Sequence, residues 1–346
     1  MTDKADEVQP PVWRDQGLDT PPAPWHDNAL KALQKRVARD ALPQALLILG
    51  PDGVGKTAFA RRFVAALNCK VNADPLVACG ECHDCQQIAR GVHPNLSLLL
   101  PTKKGGVIPV DAVREFSRRI FLTGQPGEYR IGVIDPADAL NVAAANALLK
   151  TLEEPPAGVL IVLLSARVTA IPATIRSRCQ ILRIPAPEAA DATNWLRAQP
   201  AMQAISDALP DLLCIEGPYS IARRLASGAD ALEQEMPAQL RREIAYLCRP
   251  TCDYVALATH WRTNGLESRL KWLWQDARQA LEARTTGSGA LPGDSPLAAM
   301  RLTRLALVPK RCQQMLRELT TQQNKQALTE TFLIGLRHDL QPGQHP

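Results

Sequence analysis

With 346 residues, 46% of them hydrophobic and 22% charged, the chain is too long for one ordinary domain and has the composition of a soluble globular protein of two or three units. No run of about 18 apolar residues is present, which excludes a helical membrane span, and the opening MTDKADEVQPPVWRD has no apolar core of the kind a secretory signal needs, so a cytoplasmic location is expected. A formal net charge of +5 permits contact with nucleic acid but is too small to argue for it.

Residues 1–23 are polar and rich in proline, and read as a poorly ordered leader. Asp27 to Arg39 has a helical pattern. ALLILG, Ala45 to Gly50, is a short apolar run closed by glycine and reads as a buried strand. It leads into GPDGVGKT, Gly50 to Thr57, which fits the phosphate-loop pattern G-x-x-x-x-G-K-T at every fixed position. There Gly50, Gly53 and Gly55 let the backbone turn its N–H groups inward, and the helical AFARRFVAAL adds a positive dipole end. Lys56 would reach the outer phosphates, and the Thr57 hydroxyl would hold magnesium.

Four cysteines follow in CKVNADPLVACGECHDC. In a chain expected in a reducing compartment they point to metal rather than to disulfides. Cys79, Cys82 and Cys85 form two overlapping C-x-x-C pairs, and with Cys69 they make a closed tetrahedral set suited to structural zinc. His83 and His93 are rival ligands, and a redox exchange pair is the weaker alternative.

NLSLLL (Asn95 to Leu100), YRIGVID (Tyr129 to Asp135), GVLIVLL (Gly158 to Leu164) and QILRI (Gln180 to Ile184) read as further strands. Apolar throughout and separated by helices, they imply an α/β unit with a parallel sheet covered on both faces. Asp135 is positioned to serve the metal of a nucleotide. The next residue is Pro136, which can neither accept a proton nor hold a water, so the second carboxylate of an ATPase is missing. Asp138 is a candidate substitute, though a cap or surface role is commoner for it. After residue 185 the chain turns to alanine- and leucine-rich helices, a small unit and then a larger one, with breaks at EGP (Glu216 to Pro218) and TTGSGALPGDSP (Thr285 to Pro296).

PWHDNALKAL, LPQALLILGPDGVGKT, the cysteine cluster, GVHPNL, IPVDAVREF, VIDPADALNVAAANALLKTLEEPP and IPATIRSRC stand in one order. Together they resemble the clamp-loader subunits of bacterial DNA polymerase III, AAA+ proteins, and among them the delta-prime branch. The resemblance covers residues 24–186 best. It implies an α/β P-loop domain over 24–185 with a zinc module inserted at 69–85, a helical lid over 186–230, and a helical collar over 231–346. It also implies the partners: ATPase and delta subunits in a five-membered ring and, through the complex, a sliding clamp and primer-template DNA. Arg178 of the SRC motif would act in trans as an arginine finger on a neighbour's ATP, and Ser165 falls at the polar sensor after the fourth strand.

Where ATPase members have aspartate then glutamate, this chain has Asp135 and Pro136. Where they have a lid arginine, GPYS places Ser220, with Arg223 and Arg224 one turn further on. A chain that cradles ATP or ADP with magnesium without hydrolysing it is therefore expected. The alternatives are the ATPase motor of the same machine and, from another class, a zinc-dependent DNA-binding protein using Lys103, Lys104, Arg114, Arg118 and Arg119.

Overall fold

The structure is a computed structural model that describes residues 13, 22–71, 77–102, 106–122, 129–199, 213, 217–226, 236–286, 296–319 and 324–340. Lys103, Lys104, Glu216, most of the leader and residues 287–295 of the second break lie outside them, as does the side chain of Arg224. The chain divides into two units. One takes Met1–Ser206 with Glu216–Ser227, the other Asp207–Ile215 with Gly228–Pro346.

The first unit runs α1 (Asp27–Val37), β1 (Ala45–Leu49), α2 (Lys56–Asn68), α3 (His83–Arg90), β2 (Leu96–Leu99), α4 (Val110–Leu122), β3 (Arg130–Ile134), α5 (Val142–Glu153), β4 (Val159–Ser165), α6 (Ala173–Arg176), β5 (Gln180–Arg183), α7 (Ala189–Arg197) and α8 (Pro218–Ala226). Its five strands lie in the order β2-β3-β4-β1-β5, every neighbour parallel. This is the α/β unit with a parallel sheet covered by helices that the sequence implies.

Every residue of β1 and β4 is buried, as uniformly apolar strands in the middle of a parallel sheet must be. Ala45, Leu47 and Leu49 of β1 share one core with Ile161 and Leu163 of β4, with Val113, Phe116 and Ile120 of α4, and with Ala144, Ala145, Leu148 and Leu152 of α5. Leu46 and Ile48 alternate to the other face and are equally buried. The spacing of the buried residues of α5 is the apolar stripe of a helix laid on a sheet, and its N-terminus is capped by Asn141, whose side chain accepts the Ala144 N–H at 2.8 Å.

Gly132 in β3 looks out of place in a strand until α4 is laid over it. A Cβ there would stand 2.4 Å from Ile120 Cδ1 and 2.6 Å from Phe116 Cζ, so the missing side chain is what admits the Phe116 ring and the Ile120 side chain to the core. The second unit is helical throughout its described length: α9 (Met236–Leu247), α10 (Tyr254–Thr263), α11 (Leu266–Thr286), α12 (Leu302–Leu305), α13 (Leu307–Glu318) and α14 (Lys325–Leu340). Within it the buried Arg269 guanidinium forks onto Glu243 at 2.9 and 3.0 Å, a bidentate pair of the kind that fixes helix register.

Overpacking of this kind costs about 1–3 kcal/mol. Gly132→Ala is therefore expected to destabilise the protein by that amount, read as a lowered urea midpoint. An unchanged midpoint would show that α4 is not seated on the strand as described.

Candidate functional site

Parallel strands bring their carboxyl ends to one edge of the sheet, and the candidate site is built there. Leu49 pairs in register with Ser165, and Gly50 N–H donates to Ser165 O at 3.3 Å. The phosphate loop thus leaves β1 beside the end of β4. Gly53 and Gly55 take φ of 73° and 90°, the left-handed region that a side chain disfavours, and α2 begins immediately after.

Lys56 Nζ donates to Gly50 O and Pro51 O, both at 2.8 Å. Its ammonium folds back over the loop it would serve. Burial pulls its pKa below the ordinary lysine value, while Asp52, Asp135 and Asp138 oppose that effect. Thr57 Oγ1 donates to Asp135 Oδ2 at 2.6 Å. Asp135 lies at the tip of β3, where burial raises its carboxyl pKa against the Thr57 hydrogen bond and the Lys56 charge. Hydroxyl and carboxylate therefore sit together as a magnesium site requires, and the loop, Lys56, Thr57 and Asp135 fit a nucleotide with its metal.

Ser165 is fully buried. Its hydroxyl is spent locally, donating to Arg167 O at 3.0 Å and accepting from Arg167 N–H at 3.1 Å. Asp138 Oδ2 stands 3.6 Å from an Arg167 guanidinium nitrogen.

The start of α8 lies directly against the loop. Tyr219 N–H donates to Gly53 O at 2.9 Å. A Cβ on Gly217 would meet Gly53 C at 2.3 Å, and one on Gly55 would meet the Tyr219 ring at the same distance. A Cβ on Gly53 would lie 2.8 Å from Ser220 Oγ, so position 220 does stand over the loop. Sequence reading missed the aromatic cluster that holds this contact. Tyr219 stacks on His26 with ring centroids 5.5 Å apart and packs on Trp195 at 4.4 Å. Trp25 sits 5.5 Å from Trp195. Trp25 Nε1–H and His26 Nε2–H both donate to Val54 O at 2.9 Å. In a chain only 4% aromatic, with tryptophan its commonest aromatic residue, the tryptophans were the available signal.

The four cysteines meet at the end of α2 and the start of α3. Their Sγ atoms all lie within 4.8 Å of one another, and Cys79 Sγ is 3.9 Å from Cys85 Sγ. Four sulfurs around one zinc would be about 3.8 Å apart, given Zn–S near 2.3 Å. Cys82 N–H points at Cys79 Sγ and Cys85 N–H at Cys82 Sγ, at 3.3 and 3.5 Å, which suits anionic sulfur. The donor set fits a thiolate-bound metal. His83 is exposed, with Nε2 3.1 Å from Gln87 Nε2. His93 is buried and accepts Asn95 N–H at Nδ1, 3.1 Å away, so both rings are engaged in other contacts.

Arg178 follows α6 between Ile175 and Cys179, both buried in the sheet core. Its side chain is 34% exposed. Nη1 donates to Thr174 O at 2.9 Å, and Nη2 donates to Glu153 Oε1. Burial pushes the Cys179 thiol up to about 11, consistent with a packing role. Arg114 bonds Asp111 at 3.1 Å, and Arg118 and Arg119 both bond Glu115, at 2.8 and 2.9 Å. The two arginines hold the Glu115 carboxyl down at about 2. Much of the positive charge proposed for DNA contact is therefore matched on its own helix.

The family described as DNA polymerase III, delta subunit, matches residues 25–188. A DNA polymerase III subunit delta' from Pseudomonas aeruginosa is 35% identical over 250 residues, 72% of this chain and 74% of that protein. A DNA polymerase III subunit delta' from Escherichia coli is 30% identical over 309 residues, 86% of this chain and 90% of that one. Among solved structures, a DNA polymerase III gamma subunit-related protein from Thermotoga maritima aligns with a TM-score of 0.46 at 17% identity, covering 90% of this chain and 100% of that one.

Burial lowers the His26 pKa from 6.5 to about 4, so the ring is neutral at pH 7 and donates through Nε2. The unfolded chain takes up this proton below pH 6.5 and the folded chain only near 4. Stability therefore falls as pH drops through that window, by about 3 kcal/mol from this group. His26→Gln, which keeps an N–H donor, is expected to flatten the pH dependence of the urea midpoint between pH 7 and 4 relative to wild type. Parallel curves would refute the buried neutral histidine.

Proposed function

The chain belongs to the DNA polymerase III delta-prime subunit family, and from that premise we propose that it is a clamp-loader subunit that does not hydrolyse ATP. Its catalytic contribution is Arg178, supplied in trans to the ATP site of a neighbouring ATPase subunit. The observation that carries this reading is the site's missing second carboxylate. Asp135 is tied to Thr57, and the residue after it is Pro136, which cannot activate water.

A bound nucleoside triphosphate with magnesium would supply phosphate charge for Lys56, Thr57 and the loop N–H groups of Gly50, Gly53 and Gly55 to hold. Here its role is structural, ATP or ADP bracing the loop and α8. Arg178 does its work elsewhere. A guanidinium aimed at another subunit's phosphates neutralises charge as it builds on the transferring oxygens, an effect of about 10³ to 10⁵ in rate where such fingers have been removed. We place the lid at 186–230, the ring-forming collar at 231–346, and zinc at Cys69, Cys79, Cys82 and Cys85. Within a five-subunit ring in the cytoplasm, the ATPase and delta subunits are the direct partners. The sliding clamp and primed DNA are reached through the complex.

A second reading has one observation in its favour. The phosphate loop is complete, with Lys56 and Thr57 in place beside Asp135, as in an ATPase motor. ATP hydrolysis by a loader reconstituted with its ATPase and delta subunits separates the two. Arg178→Ala is expected to lower the rate by at least about a hundredfold, and Lys56→Ala to leave it within about twofold. The reverse pattern would mean either that this chain hydrolyses its own ATP or that bound nucleotide is needed for assembly, which nucleotide-dependent assembly of Lys56→Ala separates.

The zinc assignment has its own test. Purified protein is expected to carry one zinc per chain by elemental analysis. Cys85→Ser or chelation should lower the thermal midpoint by about 5–10 °C. Metal-free protein melting at the wild-type temperature would rule out a structural zinc.

A further inference from the structure

The Arg178 guanidinium is held at one nitrogen by Glu153, a residue 25 positions earlier that nothing above has used. Glu153 is the last residue of α5, and Thr151 and Leu152 just before it are buried. Arg178 is equally fixed at its backbone. Ile175 and Cys179 anchor it in the core from either side, and Arg178 N–H closes the turn on Ile175 O at 3.1 Å. Both partners thus project from rigid stems, and only their side chains are free to adjust.

The pair is half in water, with side-chain exposures of 34% and 49%. A pair so exposed contributes little to stability. Its consequence is orientational. An arginine has long, flexible side-chain torsions whose freedom is lost when it docks. Here Nη1 is bonded to Thr174 O and lies 3.4 Å from Ser177 Oγ, and Nη2 bonds Glu153. Nε has no partner among the described residues, and Nη2, with two hydrogens, has Glu153 alone. That leaves donors of the guanidinium unspent, which phosphoryl oxygens could take up.

We propose that Glu153 is the positioning residue of the arginine finger, holding the Arg178 guanidinium in a fixed plane with its Nε edge presented to a neighbouring subunit's triphosphate. This rests on the reading of Arg178 as a finger in trans. Glu153 touches no reacting atom, and its effect is on how often the finger stands in the productive orientation. It belongs to the turnover step rather than to nucleotide binding.

The test is steady-state ATP hydrolysis by the reconstituted loader with clamp and primed DNA, comparing wild type with Glu153→Ala, Glu153→Gln, Arg178→Ala and the double variant Glu153→Ala/Arg178→Ala. Glu153→Ala is expected to lower kcat about tenfold at unchanged KM. Glu153→Gln keeps an acceptor without the charge and should fall between. The double variant should be no slower than Arg178→Ala alone. A Glu153→Ala rate equal to or above wild type would overturn the proposal, since a residue that merely parks the finger would speed turnover when removed. An additional loss in the double variant, or a change in KM alone, would overturn it as well. If Glu153→Ala fails to assemble into the ring, Glu153→Gln decides by the same criteria. Full activity of Arg178→Ala would instead remove the finger itself, and the positioning role with it. Loss with Arg178→Ala but not with either Glu153 variant would leave the finger standing and reject only its holder.

Discussion

The candidate sites of the first unit depend on one constraint, the parallel register of β1, β4 and β3. Because Leu49 stands opposite Ser165 and Ile134 opposite Leu163, three chain segments distant in sequence end at the same edge within two residues of one another. The phosphate loop leaves from the first, and Asp135 closes the last. The Thr57–Asp135 hydrogen bond is possible only because the strands cannot slip. A one-residue shift would turn every buried side chain of β4 to the opposite face. The energy that forbids the slip comes from burial on both faces of the sheet, far from any charged group.

At that edge the phosphate loop is held from its outer side as well as offered to a ligand on its inner side. Gly53 O is taken by Tyr219 N–H, Val54 O by Trp25 and His26, and Gly50 O and Pro51 O by Lys56. Glycine at 53, 55 and 217 permits backbone to approach backbone and ring at distances that a Cβ would forbid. The residues that make a nucleotide cradle are therefore also the residues on which α8 is seated. A chain that does not hydrolyse ATP needs no water-activating carboxylate next to Asp135, but the packing demand on the loop stays the same. A complete loop can persist in a chain that turns over no ATP, because its glycines serve the fold.

The sequence made some of this plain and hid the rest, for physical reasons. All five strands were legible; β1 and β4, buried on both faces, read as the uninterrupted apolar runs ALLIL and VLIVLLS, while β5, with exposed Gln180 and Arg183 at its ends, shows only an apolar middle. The phosphate loop and the cysteine spacing were legible because their chemistry is local: a turn, a helix start, and sulfurs a few residues apart. The aromatic cluster was not, because Trp25, His26, Trp195 and Tyr219 meet only after the sheet has brought three separated segments together. Trp13 was read as part of a poorly ordered leader. It is buried, with its indole N–H on Ile88 O at 2.7 Å. The basic stretch around Arg114 to Arg119 hid its own pairing. A count of basic residues ignores Asp111 and Glu115 at the helical spacing that pairs them.

The arginine of the SRC turn shows how a motif's spacing and its physics differ. Nothing in the three letters says which way the side chain points. Direction comes from Ile175 and Cys179, which sink into the core at positions i and i+4 around it, and from the end of α5, which the sheet delivers to the same place. The ALLKTLEE and SRC stretches are separate in the chain because they sit after β3 and after β4, neighbours in the sheet. Glu153 of the first and Arg178 of the second are the points where those two connections touch. A carboxylate at that contact offsets part of the arginine's charge and gives the guanidinium a fixed plane. In the proposed role, meeting phosphoryl oxygens on another chain, orientation would govern the rate more than charge does, since the guanidinium keeps its positive charge in every orientation.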